Sequence, residues 1–80
     1  EYLSQMLLLR SIKTTLLVKI REGKAEFIKT CEKIILYIKT NSIKYDNYKG
    51  IYNKFVWKNL NRENYKLLYL TMKLREYLNM

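Results

Sequence analysis

The feature that most constrains the fold is a run of apolar residues between positions 24 and 40. They recur every three or four residues, as the buried face of an α-helix does. The set is Phe27, Ile28, Cys31, Ile34, Ile35 and Ile38. Asn41 and Ser42, which favour turns, follow at the end. The spacing predicts a helix over 24–40 that must bury one wide face against other elements of a mostly α domain.

The residues before that helix show a different periodicity of apolar side chains. Ile12, Thr14, Leu16, Val18 and Ile20 alternate with Lys13, Thr15, Leu17, Lys19 and Arg21. A two-residue repeat of β-branched and apolar side chains is typical of a strand with one buried face. The alternation predicts one strand near residues 12–20, ended by Gly23. No second alternating run follows it, so the partner of this strand would have to come from a missing segment or another protein. The remaining alternative is that no partner exists and residues 12–20 fold differently.

Three further stretches are predicted to be helical. Residues 1–11 have the spacing of the end of a helix, and a second stretch runs from Asp46 to Trp57 with Gly50 inside it. The last runs from Arg62 to Leu78, with apolar residues around most of its circumference. So broad an apolar face predicts burial against more than one neighbour. The chain of 80 residues is therefore expected to form one small domain, mostly α, with three to four helices and one strand.

Charge indicates the kind of partner. Sixteen Lys and Arg stand against seven Asp and Glu, a net charge of +9. So short and basic a chain is expected to neutralise a polyanion, either nucleic acid or an anionic membrane face. Its apolar runs are much shorter than the ~18–20 residues that a membrane span needs, so no span is predicted.

Side chains that commonly catalyse reactions or bind metals are scarce in this sequence. The chain has one cysteine and no histidine, which excludes an internal disulfide and a zinc site built from Cys and His. Cys31 lies on the apolar face of the predicted helix, where a buried structural thiol is expected rather than a nucleophile. No nucleophile has a base partner in the pattern, so we expect no enzyme activity, no cofactor and no small-molecule substrate.

Two basic segments are candidate RNA-binding regions, because lysine and arginine displace counterions from phosphates. In residues 10–24 only Glu22 opposes the cations, and in residues 39–58 only Asp46 does. The first segment contributes Arg10, Lys13, Lys19, Arg21 and Lys24, and the second contributes Lys39, Lys44, Lys49, Lys54 and Lys58. The alternative is that these lysines only solvate the surface of a lysine-rich protein.

Aromatic residues are interleaved with the second basic segment. Such rings can stack on unpaired RNA bases. Tyr48, Ile51, Tyr52 and Phe55 have the spacing of a buried helix face instead. Tyr45 and Trp57 lie off that face and are the better stacking candidates.

Three segments of the chain carry a recognisable series of motifs. Residues 10–16 read Arg-Ser-Ile-Lys-Thr-Thr-Leu, residues 23–42 contain the predicted helix, and residues 66–77 begin Lys-Leu-Leu-Tyr and end Arg-Glu-Tyr. In this order they resemble the bacterial-type family of large-subunit ribosomal protein 17, in its R-I-x-T-T-L motif, the helix that follows, and its K-L-F-x-E-L-x-P-R-Y segment without the proline. The family's basic N-terminal arm and C-terminal strands have no counterpart here. Thr14 and Thr15 match its paired threonines, which would bind phosphate or cap the next element.

The resemblance implies a structural constituent of the large ribosomal subunit. Its partners would be ribosomal RNA and neighbouring large-subunit proteins. The shortened ends suggest an organellar ribosome, mitochondrial in the first place, with a plastid or bacterial one as alternatives. Two other classes stay open: a helical DNA-binding module, and a small basic accessory subunit of a membrane or other protein complex.

Overall fold

Four α-helices make up the fold. The computed structural model describes residues 2–43 and 50–78. The helices are α1 (Tyr2–Glu22), α2 (Lys24–Thr40), α3 (Ile51–Asn61) and α4 (Tyr65–Leu78). The mostly α fold class is therefore confirmed.

The strand predicted near residues 12–20 is wrong, because this segment is the second half of α1. The buried residues of α1 are Leu9, Ile12, Leu16 and Ile20, at steps of three and four. Ile12, Leu16 and Ile20 fit a two-residue repeat as well as a helical one, which explains the misreading. Thr14 and Val18 decide between the two, since a strand would bury them and here both are exposed. The backbone of a helix is satisfied internally, so the segment needs no partner strand.

A single residue, Gly23, joins α1 to α2. Its φ of 115° is one that side-chain-bearing residues rarely adopt. The Gly23 N–H donates to the carbonyl of Ile20 at 3.3 Å, and the Gly23 carbonyl accepts from the N–H of Phe27 at 3.0 Å. The glycine thus closes one helix and opens the next, which makes α1 and α2 a tight antiparallel hairpin.

Helix α2 follows its sequence prediction from first residue to last. Phe27, Cys31, Ile35 and Ile38 are buried, and Ile28 and Ile34 are half-buried. The helix ends at Asn41, whose side-chain amide donates to the carbonyl of Tyr37 at 2.8 Å. Such a bond satisfies one of the carbonyls that a helix end leaves without a partner.

The core lies where α4 packs between α1 and α2. Phe27 of α2 meets Tyr69 of α4 edge-to-face, with ring centroids 5.2 Å apart. Leu16, Leu68 and Met72 surround them and are almost fully buried. Each such side chain contributes ~1.5–3 kcal/mol through burial, which makes this layer the main source of stability.

Helix α3 buries a different face from the predicted one. Val56, Asn59 and Leu60 are its buried residues. Tyr52 and Phe55 are only half-buried, and Ile51 is 90% exposed. Asn59 is compatible with burial because its amide donates to the Phe55 carbonyl at 2.8 Å. The helix begins just after Gly50, so its predicted first part, from Asp46, lies outside the described residues.

Helix α4 begins at Tyr65, three residues later than predicted. Residues 62–64 reverse the chain, with Glu63 at a φ of 59°. The Asn64 N–H donates to the Asn59 carbonyl at 2.9 Å, and the Asn64 carbonyl accepts from the Leu68 N–H at 3.0 Å. Asn64 therefore holds the position before the helix, and Asn61 is the last residue of α3.

Candidate nucleic-acid interface

The centre of the candidate interface is Lys13, at the junction of α1 and α3. Its ammonium group donates to the Oδ1 atom of Asn53 at 2.6 Å and lies 5.8 Å from the ring centroid of Tyr52. Partial burial lowers the pKa of Lys13, and the nearby Arg75 and Arg10 lower it further. A lowered lysine pKa means that the protonated form is disfavoured here, which an anion bound beside it would reverse.

Arg75 brings a second positive charge to the same place from α4. Its guanidinium carbon lies 4.0 Å from the ring centroid of Tyr52, which is close cation–π stacking. Burial raises the pKa of the Tyr52 hydroxyl, an effect that the Arg75 charge partly offsets. The stacking fixes the plane of the guanidinium, and Arg75 as a whole is still exposed.

Arg10, one turn before Lys13 on α1, completes a group that we call the cationic flank: Arg10, Lys13 and Arg75. Two shallow depressions meet at Lys13. One of about 280 Å³ contains Arg75, and the other of about 350 Å³ contains Arg10. The first is lined by Lys13, Thr14, Leu17, Tyr52, Met72, Arg75 and Glu76. The second is lined by Met6, Leu7, Leu9, Arg10, Lys13 and Asn53.

The carboxylate nearest to the cationic flank is already engaged. Glu76 lines the first depression, but its Oε1 atom accepts from Arg21, 3.0 Å from the Nη2 atom. Neither Arg10, Lys13 nor Arg75 is in an ion pair among the residues that the structure describes. Three neighbouring positive charges that are not paired with a carboxylate form a surface that attracts anions.

Several other predicted RNA-binding cations are neutralised by carboxylates of the chain. Lys19 pairs with Glu22 at 3.1 Å, Arg21 pairs with Glu76, and Lys39 pairs with Glu63 at 3.3 Å. Exposed pairs like these add little to stability. They do reduce the positive potential around each cation, so the structure favours the cationic flank over these three positions.

The paired threonines point to different surfaces. Thr14 lines the first depression, and its hydroxyl donates to the Arg10 carbonyl at 2.9 Å. Thr15 lines a groove between α1 and α2 together with Thr30 and Lys33. Within a helix they cannot act as one site, and only Thr14 adjoins the cationic flank.

The remaining candidates are scattered. Lys24, Lys54 and Lys58 are exposed, Lys24 at the start of α2 and the other two one turn apart on α3. Trp57, expected to be free for stacking, is half-buried and packs against the core cluster. Lys44, Tyr45 and Lys49 lie outside the described residues.

Sequence reasoning missed Tyr52, Asn53 and Arg75 as parts of the interface. Tyr52 had been assigned to a buried face, and Arg75 stood in a helix read as apolar. Their roles arise from contacts between α1, α3 and α4, which are distant in sequence, and no local pattern encodes such contacts.

The one cysteine of the chain is buried. Burial and the nearby Glu32 raise the pKa of the Cys31 thiol to about 12, so it stays protonated and inert at neutral pH. Within residues 2–43 and 50–78, no three metal-binding side chains come together. No helix in these ranges is long and apolar enough to cross a membrane.

Comparisons with known proteins give no relative. No protein-family model matches the chain, and no curated protein or solved structure matches it significantly.

Proposed function

We propose that this protein is a non-catalytic RNA-binding protein that contacts phosphates through the cationic flank of Arg10, Lys13 and Arg75. The observation that carries the proposal is the convergence of these three charges while the adjacent Glu76 is engaged by Arg21. Bound phosphate would supply the negative charge that this surface lacks and would relieve the repulsion among its cations.

The aromatic part of the flank favours RNA with unpaired bases. Sequence-specific RNA binding commonly uses bases that stack on aromatic rings or on arginine planes. The Arg75 guanidinium lies 4.0 Å from the Tyr52 ring centroid, and Arg75 as a residue is exposed. A base could stack there while the neighbouring phosphates meet Lys13 and Arg10.

The ribosomal part of the proposal rests on the resemblance described above. We propose that the RNA is ribosomal and that the protein is a structural constituent of a large subunit, in a mitochondrial ribosome. Supporting it, residues 23–42 of the resemblance coincide with α2 and its end. Of the first motif, Arg10 belongs to the cationic flank and Thr14 lines the depression beside it.

The test is a salt titration of RNA binding. Fluorescence anisotropy with a labelled RNA stem-loop would compare the wild type with the Arg10→Gln/Arg75→Gln variant. Each phosphate contact contributes roughly 0.7–0.9 to the slope of log affinity against log salt. We expect the double variant to lose about 1.5 of that slope. Both side chains are exposed, so the fold should survive the change.

The matched control is Lys29→Gln/Lys33→Gln, which removes two charges from the exposed side of α2. This control should keep the wild-type slope. Equal losses in both variants would mean that only net charge matters and would refute a defined site. Tighter binding to duplex DNA than to the stem-loop would favour the DNA-binding alternative.

The ribosomal assignment has its own experiment. The tagged full chain should co-sediment with large subunits after a high-salt wash, and the Arg10→Gln/Arg75→Gln variant should be released at lower salt. Wild-type protein found only in free fractions would refute the assignment while leaving RNA binding itself intact.

A further inference from the structure

Helix α4 has two apolar faces, and the fold uses only one of them. Tyr65, Leu68, Tyr69 and Met72 are buried against the other helices. On the opposite side lies a set of exposed apolar side chains that we call the outer stripe. It consists of Leu67 (49% exposed), Leu70 (61%), Leu74 (57%), Tyr77 (72%) and Leu78 (72%). Helix α4 packs on α1, α2 and α3, as its broad apolar face predicted, but the outer stripe remains exposed.

The spacing of the outer stripe is that of a coiled-coil seam. Leu67, Leu70, Leu74 and Tyr77 follow one another at steps of three, four and three. This is the a/d pattern of a heptad repeat, which one helix presents to another. Scattered exposed leucines need no explanation, but a continuous stripe in this register indicates an interaction surface.

Lysines stand in the flanking positions of the same register. Lys66 and Lys73 both occupy position g, next to the seam, where charged residues select the partner. Both are exposed. The carboxylates at the two ends of α4 are engaged elsewhere, Glu63 with Lys39 and Glu76 with Arg21. The flank of the stripe is thus positive.

The stripe continues into a concave surface at the start of α4. A depression of about 460 Å³ lies beside Leu67 and extends to Ile28 of α2. It is lined by Ile28, Glu63, Asn64, Tyr65, Lys66 and Leu67. A concave end of this kind can receive a side chain from a packed helix, which favours a protein partner over a flat lipid surface.

We propose that the outer stripe docks an amphipathic helix of a partner protein, whose own apolar seam is flanked by Glu or Asp. A second copy of this chain is a poorer fit. In a parallel pair, position g faces position e, so Lys66 and Lys73 would face Thr71 and Leu78. In an antiparallel pair the lysines would face each other. The proposal does not depend on RNA binding, because the stripe shares no residue with the cationic flank.

The experiment uses synthetic helical peptides as probes. A labelled three-heptad peptide with Leu at a and d and Glu at e and g would be titrated with the full protein and followed by anisotropy. The glutamates keep such a peptide from pairing with itself. We expect Leu70→Ser/Leu74→Ser to weaken binding by at least ~10-fold, since two leucines would no longer be buried. Leu36→Ser/Ile51→Ser, which replaces two apolar residues elsewhere that are more exposed than Leu70 and Leu74, should bind as the wild type does.

Charge reversal tests the chemistry of the partner. The Lys66→Glu/Lys73→Glu variant should no longer bind the acidic peptide. It should instead bind a matched peptide that has Lys at positions e and g. Circular dichroism melts would confirm that these surface variants stay folded.

Four outcomes would overturn the proposal. The first is failure of the wild type to bind the acidic peptide, and the second is equal binding of a peptide flanked by Gln. The third is a concentration-dependent dimer that Leu70→Ser/Leu74→Ser abolishes, which would assign the stripe to a second copy. The last is binding to phosphatidylglycerol-containing vesicles that the same variant abolishes, which would assign it to a membrane surface.

Discussion

Tyr65 shows how much a single buried polar atom can influence stability. The residue is 8% exposed, and its hydroxyl has no hydrogen-bond partner among the residues that the structure describes. Burial first, and then the nearby Glu63, Cys31 and Glu32, raise its pKa to about 12. The raised pKa means that the folded protein favours the neutral Tyr65 hydroxyl over the phenolate. The stability that this preference contributes is complete below about pH 10. It is lost as the pH rises towards about 12.

The first prediction follows for Tyr65→Phe. Removing a buried hydroxyl without a partner should leave the free energy of unfolding at pH 7 unchanged or raise it by up to ~1 kcal/mol. The loss of stability above about pH 10 should become shallower, although the Cys31 thiol would still contribute to it. Urea unfolding followed across this range measures both effects. The exposed Tyr37→Phe is the control, and a clear loss of stability at pH 7 in Tyr65→Phe would show that the hydroxyl is bonded.

At the scale of the elements, α1 is where two periodicities compete. A strand over residues 12–20 would bury Thr14, Leu16 and Val18 on one face, whereas the helix buries Leu16 alone of these three. The local alternation is real, but it has no partner strand, and Leu9 extends the helical spacing beyond it. The helix also satisfies its backbone without a partner, so the tertiary structure overrides the β-branched composition.

The second prediction separates the two faces of α1. Leu16 has no exposed surface, so Leu16→Ala should destabilise the protein by ~2–5 kcal/mol. Val18 is 54% exposed, so Val18→Ala should change stability by less than ~0.5 kcal/mol. Thermal melts followed by circular dichroism would measure both. A large loss in Val18→Ala would contradict the helical assignment.

Sequence patterns predicted α2 completely because its apolar residues fit only one period and Gly23 and Asn41 mark its ends. They failed where a pattern fitted two periods, as in α1, and where the buried face was not the predicted one, as in α3. The candidate interface divides in the same way. Arg10 and Lys13 follow from the local surplus of basic residues and Thr14 from the family resemblance, whereas Arg75 joins them only through packing on Tyr52 of α3.

At the scale of the whole molecule, a net charge of +9 is spread over a body of only 33 × 24 × 18 Å. Three ion pairs, each partly or largely exposed, offset a small part of the repulsion in the described residues. Repulsion among like charges destabilises a compact state more than an expanded one. The free protein should therefore be stabilised by anything that screens or neutralises its cations.

The third prediction is a positive effect of salt on stability. Between ~0.01 M and ~0.15 M sodium chloride the Debye length falls from ~30 Å to ~8 Å. We expect the melting temperature to rise by ~2–8 °C, the change that ~0.5–1 kcal/mol produces in a domain of this size. Scanning calorimetry of the free chain would measure it. A melting temperature that falls over this range would mean that the ion pairs stabilise the protein more than the repulsion among its cations destabilises it, because salt screens both.

The one-residue link at Gly23 has a consequence for the order in which the fold can assemble. Helices α1 and α2 form the most extensive helix contact in the molecule, and they are adjacent in sequence. Contacts between neighbours in the chain require little loop closure, and proteins rich in them fold quickly. Both partners of this contact are complete by residue 40. A growing chain can therefore form its most extensive helix contact before α3 and α4 have been made.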